Sequence, residues 1–195
     1  MSTKYKFLDH DGLYFVSFAT VGWVDVFTRP LYTNIFCESV KYCQQNKGLN
    51  LHAWCLMSNH VHLIFSRSGL HSHSDILRDL KKFTSKKLLE AIENNPAESR
   101  KDWMKSIFRN AGEKKSNNKE YQFWQQDNHP IELFSPLVTF QKIDYVHGNP
   151  VAAGIVTESE HYLHSSARDY AGINGMLDID VLERPGSLEG YVFSY

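Results

Sequence analysis

Two histidines one residue apart, His60 and His62, sit within the run Trp54-Cys55-Leu56-Met57-Ser58-Asn59-His60-Val61-His62-Leu63-Ile64-Phe65. Alternate side chains on a strand share a face. His60, His62 and Ile64 therefore lie on one side, and Val61, Leu63 and Phe65 on the other. The second set reads as a core face, which leaves two imidazoles side by side facing away from it. Each offers a neutral nitrogen, so the pair can chelate a divalent cation. The same spacing also suits a surface histidine beside one that hydrogen-bonds locally. The H-x-H of large barrel hydrolases needs roughly 250 residues, more than the 195 present.

A second chemical segment is Lys142-Ile143-Asp144-Tyr145-Val146-His147-Gly148-Asn149-Pro150. In a helix over 136–148, Tyr145 and Asn149 lie one turn apart on the same side. Pro150 disfavours helical geometry at the residue before it. The expectation is a helix ending at Asn149, with the amide oxygen free to ligate. A phenol beside a metal ligand can attack a phosphodiester, forming a phosphotyrosine while the cation polarises the phosphoryl oxygens. Read alone, the segment equally describes an amphipathic tyrosine at a core edge followed by a helix stop. No general base is evident; because a free phenol has a pKa near ~10, metal or substrate phosphate must help remove its proton.

The elements that must position these groups follow from periodicity and turn residues. Gly12 to Thr20 is rich in aromatic and β-branched residues and reads as a strand. Leu31, Ile35, Phe36, Val40 and Cys43 recur at helical spacing after Thr28-Arg29-Pro30, and Asn46-Lys47-Gly48 stops that helix. Leu51 to Met57 and His60 to Arg67 are strands joined at Ser58-Asn59. Ser74 could cap a long helix carrying Ile76, Leu77, Leu80, Phe83, Thr84, Leu88 and Ala91, ended by Asn94-Asn95-Pro96. Tyr121 to Phe134 looks extended, and Ser135-Pro136 opens the last helix. The order β-α-β-β-α-insert-β-α predicts an α+β fold, a ferredoxin-like or RRM-like antiparallel sheet with helices packed on one face. The expected division is one domain over 1–170, with a basic insert at about 91–120, and an acidic C-terminal tail over 171–195.

Charge is unevenly spread behind a net value of −1. Residues 78–119 carry 12 basic and 6 acidic groups, whereas residues 120–195 carry 3 and 11. A concentrated basic stretch is a footprint for a polyanion, although a solvated helical face has the same composition. The helix offers Arg78, Lys81, Lys82, Lys86 and Lys87, and the insert offers Arg100, Lys101, Lys105, Arg109, Lys114 and Lys115. Single strands are held by a basic track and aromatic stacking, for which Trp54, Trp103, Phe123 and Trp124 are available; Trp124 is the expected stacking residue. No apolar run approaches the ~20 residues of a membrane span, and the polar start from Met1 to Asp11 lacks a signal-peptide core. Cys37, Cys43 and Cys55 form no C-x-x-C pair, which argues against a disulfide scaffold or zinc finger. A reduced, cytoplasmic protein with no membrane partner is expected.

Asn59-His60-Val61-His62-Leu63, followed about 80 residues later by Tyr145-x-x-x-Asn149-Pro150, resembles the HUH single-strand DNA transposases, above all the REP-associated tyrosine transposases. Phe123-Trp124-Gln125-Gln126, the run Asn149-Pro150-Val151-Ala152-Ala153-Gly154-Ile155-Val156, and Tyr162 with Ser165-Ser166 extend the similarity over roughly residues 5–170. The resemblance implies that His60, His62 and Asn149 are ligands of Mg²⁺ or Mn²⁺. It implies that Tyr145 is the nucleophile that cleaves single-stranded, hairpin-bearing repeat DNA through a 5′-phosphotyrosine. Two imidazoles are softer than Mg²⁺ prefers, so the chemistry of the ligands favours Mn²⁺. The alternatives are a catalytically silent single-stranded DNA or RNA binder on the same scaffold, and a rolling-circle replication initiator. The relatives act as monomers or homodimers, and a monomer is the expectation here.

Overall fold

The computed structural model describes residues 7–113, 120–126 and 128–186. Lys114, Lys115 and the last nine residues of the acidic stretch lie outside them. The described chain runs β1 (Tyr14–Ala19), α1 (Pro30–Lys47), β2 (Leu49–Leu56), β3 (His60–Arg67), α2 (His73–Asn94), α3 (Lys101–Glu113), β4 (Ile131–Glu132), α4 (Pro136–Ala152) and α5 (Ala167–Tyr170). One sheet in the order β2-β3-β1-β4 holds all four strands, each pair antiparallel. The fold is α+β, as the alternation of elements predicts.

Proline and glycine set the limits of α1. Pro30 occupies its first turn, where a missing N–H costs nothing. Gly48 closes it in the left-handed region at φ 69°, donating its N–H to the Cys43 carbonyl. A Cβ there would sit 1.8 Å from the Ser68 carbonyl oxygen, so the α1–β2 corner admits only glycine. The α2 cap is Ser72 rather than the expected Ser74. Ser72 Oγ accepts from the Asp75 N–H while the Asp75 carboxylate accepts from the Ser72 N–H, a reciprocal box.

Helices pack on both faces of the sheet rather than on one as expected: α1 and α2 cover Val16, Phe18, Leu51, Trp54, Val61, Leu63 and Phe65. α4 lies on the opposite face. There Phe140, Ile143 and Val146 pack on Phe15, Ala53, Cys55 and Ile64 in a second, smaller core. The insert is integrated as well: Met104 and Phe108 of α3 are fully buried, and the Phe108 ring meets Phe123 at 4.9 Å. Of the segment from Tyr121 to Phe134, Ile131–Glu132 is a strand, with a single bridge from Trp124 to Thr20. The described part of the acidic stretch follows the free edge of β2, where the Asp180 N–H donates to Leu51 and Leu177 joins the main core. The three cysteines are buried free thiols. Among the described residues, no helix is long and apolar enough to cross a membrane.

Candidate active site

Antiparallel pairing sets His62 of β3 opposite Ser17 of β1 and Cys55 of β2, with His60 opposite Ala19 at the end of the ladder. Strand alternation brings both imidazoles to the same face, their ring centroids 4.8 Å apart. That face is covered rather than solvent-exposed, because α4 lies across it. His62 is only 4% exposed, stacked on Phe15 at 5.6 Å. His60, nearer the rim, is half-buried. The Tyr145 ring meets His62 edge-on at 5.3 Å and Phe15 at 6.0 Å. A phenol 83 positions along the chain is thus packed against the histidine pair.

α4 does not stop at Asn149. It continues to Ala152 with Pro150 inside it. A proline so close to the C-terminus removes one intrahelical hydrogen bond, and burial of its ring in the last turn offsets the loss. Asn149 consequently has helical backbone, with its side-chain Nδ2 donating to the Tyr145 carbonyl at 2.7 Å. That bond commits the amide nitrogen, and the side chain stands close enough to His62 to act on its ring.

Burial sets the electrostatics of the pair. His62 is pushed down to about 3, first by loss of solvent and then by the neighbouring His60; Asn149 pulls it back up, and Lys142 adds the smallest downward push. His60 is lowered too, by burial. Both rings are therefore neutral near neutrality, with lone pairs to offer. Neither nitrogen of His62 has a well-formed hydrogen bond, an uncommon state for a buried polar group. His60 Nδ1 lies 2.7 Å from Asn59 Oδ1, whose amide nitrogen donates to the Trp23 carbonyl at 3.2 Å. With the amide orientation fixed in this way, Nδ1 carries the proton and Nε2 is left with the lone pair. Two neutral nitrogens and an adjacent amide oxygen suit a divalent cation. Among the described residues no three His, Cys, Asp or Glu side chains cluster for one. The Cys55 thiol on the same face is raised by burial to about 12 and is no nucleophile.

Three residues at the site escape a reading of types and spacing. Lys142, three positions before Tyr145, holds its ammonium 5.0 Å from both the Tyr145 and Phe15 ring centroids. Its helical offset from Tyr145 is the one signal that could have marked it. Asn59 immediately precedes the pair and orients His60. Trp23, far away in sequence, meets His60 edge-on at 5.9 Å; nothing in its local sequence points there.

The nucleic-acid residues fare differently. Trp124 is a core residue and not a free stacking face: it is 5% exposed, donates from Nε1 to Thr84 Oγ1 at 3.0 Å, and packs against Phe27 and Phe18. Trp54 and Phe123 are buried as well. Lys81 is half-buried and engaged within the fold, donating to the Gln125 carbonyl and Asn128 Oδ1 with its ammonium over Phe18. Arg78 pairs with Asp75 and Asp79. Lys82, Lys86 and Lys87 are exposed. Lys82 and Lys86 border a groove of about 240 Å³ beside Tyr42 and Phe83. This helix covers the sheet face opposite the histidine pair.

Comparison with known proteins places the chain. Residues 18–126, more than half of it, match the family described as transposase IS200 like. That span contains both histidines and ends before Tyr145. No curated protein matches. A solved REP-associated tyrosine transposase bound to a REP hairpin shares the fold, with a TM-score of 0.63 and 17% identity over 100% of both chains. A Deinococcus radiodurans chain provisionally described as a transposase covers 76% of this chain and 97% of its own, with 16% identity and a TM-score of 0.44. An antiparallel sheet carrying His-x-His at its centre and the family profile running across it lead to one assignment: the chain belongs to the IS200-like, single-tyrosine group of HUH transposases and is a DNA transposase.

Proposed function

We propose that the protein cuts and rejoins single-stranded, hairpin-bearing repeat DNA through Tyr145, with His60, His62 and Asn149 holding a divalent cation, Mg²⁺ or Mn²⁺. The observation that carries this reading is the Tyr145 ring at 5.3 Å from a buried, neutral His62 whose two nitrogens make no well-formed hydrogen bond. The hairpin bound by the structural relative supports the choice of substrate. When bound, the cation would polarise the scissile phosphate and offset the charge that gathers on it.

The chain's own groups supply the remainder. The Tyr145 phenol attacks phosphorus, the bond to the 3′-oxygen breaks, and a 5′-phosphotyrosine and a free 3′-hydroxyl result. The phenol's proton passes to solvent or a phosphate oxygen, and the departing 3′-oxygen takes one up. One phosphodiester replaces another, so a 3′-hydroxyl can reverse the step and join strands without ATP. Asn59 keeps His60 in the tautomer that presents Nε2. Asn149, tied to the Tyr145 carbonyl, couples the ligand position to the nucleophile's own turn of helix.

Incubation with a tailed hairpin DNA and Mn²⁺, followed by denaturing electrophoresis, tests the assignment. The wild type should give a covalent adduct, Tyr145→Phe none, and His60→Ala little or none. An adduct that survives Tyr145→Phe would move the nucleophile to another tyrosine and overturn the proposal.

A further inference from the structure

We infer that the Trp23 indole is a stacking platform for a nucleobase next to the phosphate handled at His60, His62 and Tyr145, an inference that rests on the functional reading above. Of the four tryptophans, Trp54 and Trp124 are spent in the core, whereas Trp23 is 58% exposed. Its ring is set against His60 at 5.9 Å and 73°. His60, His62 and Tyr145 continue as successive edge-to-face contacts at 4.8 and 5.3 Å. The indole therefore adjoins the end of the histidine pair opposite to the one that Tyr145 touches.

The backbone beneath this ring is strained and firmly held. Trp23 has φ 55°, directly after Gly22 at φ 66°. A bulky residue in the left-handed region is a genuine outlier, costly to folding unless its surroundings impose it. Here they do. The Trp23 N–H donates to the Thr20 carbonyl, and the buried Thr20 hydroxyl has its acceptors in the carbonyls of Val24 at 2.9 Å and Asn59 at 3.1 Å, which share its one proton. Asn59 Nδ2 holds the Trp23 carbonyl, and a Cβ on Gly22 would meet Ile107 of α3 at 3.1 Å. Distant parts of the chain thus fix the backbone beneath a ring that gains little burial in return. Asn59 joins this turn to His60, so the platform and the proposed ligand share one support. Proteins that hold single strands use such rings because every base has a π-face to stack on one.

The test uses the full-length Tyr145→Phe protein with Mn²⁺ and a hairpin DNA bearing a single-stranded tail. DNA should quench tryptophan fluorescence when Trp103, the other exposed tryptophan, is replaced by Phe, and most of the quenching should vanish in Trp23→Phe. Trp23→Ala should weaken binding roughly five- to hundredfold, and Trp23→Tyr should recover most of that loss. An abasic residue walked along the tail should weaken binding at one position in the parent, and Trp23→Ala should be indifferent to that position. Unchanged affinity in Trp23→Ala, with quenching retained in Trp23→Phe, would overturn the inference. Trp23-dependent quenching in a protein whose wild type forms no adduct would instead overturn the chemistry and leave the platform standing.

Discussion

Lys142 stands one turn before Tyr145 on α4, its ammonium over the ring of the proposed nucleophile. The same charge helps to keep His62 neutral. A phenol giving up its proton and a phosphate gathering negative charge both gain from a cation so placed, and a partly buried site strengthens the effect. Replacing Lys142 by Met keeps an unbranched apolar side chain at this position and removes the charge. Adduct formation at saturating DNA should slow about ten- to hundredfold in Lys142→Met and largely recover in Lys142→Arg, with thermal stability little changed. Single-turnover kinetics reads this directly. Equal rates in Lys142→Met and the parent would confine the lysine to packing.

At the level of elements, a notable feature is that the basic helix and the histidine pair occupy opposite faces of one sheet. A strand that touches both must pass around an edge of the molecule, so the proposed contacts of α2 would serve affinity and not bond cleavage. Converting Lys82 and Lys86 to Glu should weaken single-strand binding and flatten its salt dependence, while the rate of adduct formation at saturating DNA stays unchanged. An unaltered salt slope, measured by titration over a range of ionic strength, would remove these lysines from the interface. Much of this arrangement was legible beforehand. β3 begins and ends where alternation and turn residues place it, and the two imidazoles share a face as strand geometry requires. What periodicity could not convey is which side of the sheet a helix takes. Phe140, Ile143 and Val146 announce that α4 is buried against something, but a stripe carries no address. Alternation turns the histidines away from the main core but does not say that α4 covers them. Trp124 misled for the opposite reason: an aromatic beside polar glutamines has the same local sequence whether its ring faces a base or the core. Trp23 was hidden because its proximity to His60 arises from a turn held by distant residues.

Across the whole molecule, Glu98 joins parts that are far apart in the chain. Its side chain has no solvent exposure, and it accepts from Arg29 and Tyr32 of the α1 end and from Arg100 at the entry to α3. Arg29 and Arg100 reach onward to the Ala97 and Asp25 carbonyls. This cluster fastens α3 to the body of the fold, and α3 in turn backs the Gly22-Trp23 turn through Ile107. Burial by itself would raise the carboxyl's pKa; the hydrogen bonds and charge of Arg100, with the Tyr32 hydroxyl, outweigh that and hold it at about 2. A folded-state value below the ordinary one near 4.5 means that the ionised form stabilises the native state. The contribution is complete above about pH 4.5 and is lost as pH falls toward about 2, because the unfolded chain then binds the proton first. Its size is on the order of 3 kcal/mol. Glu98→Gln should therefore lower stability markedly near neutrality, and the gap from wild type should close as the solution is acidified through that window. Chemical denaturation at a series of pH values decides the matter. A gap as wide at about pH 3 as at neutrality would mean that the lost contacts are steric, and the ion cluster would no longer explain how α3 is kept in place.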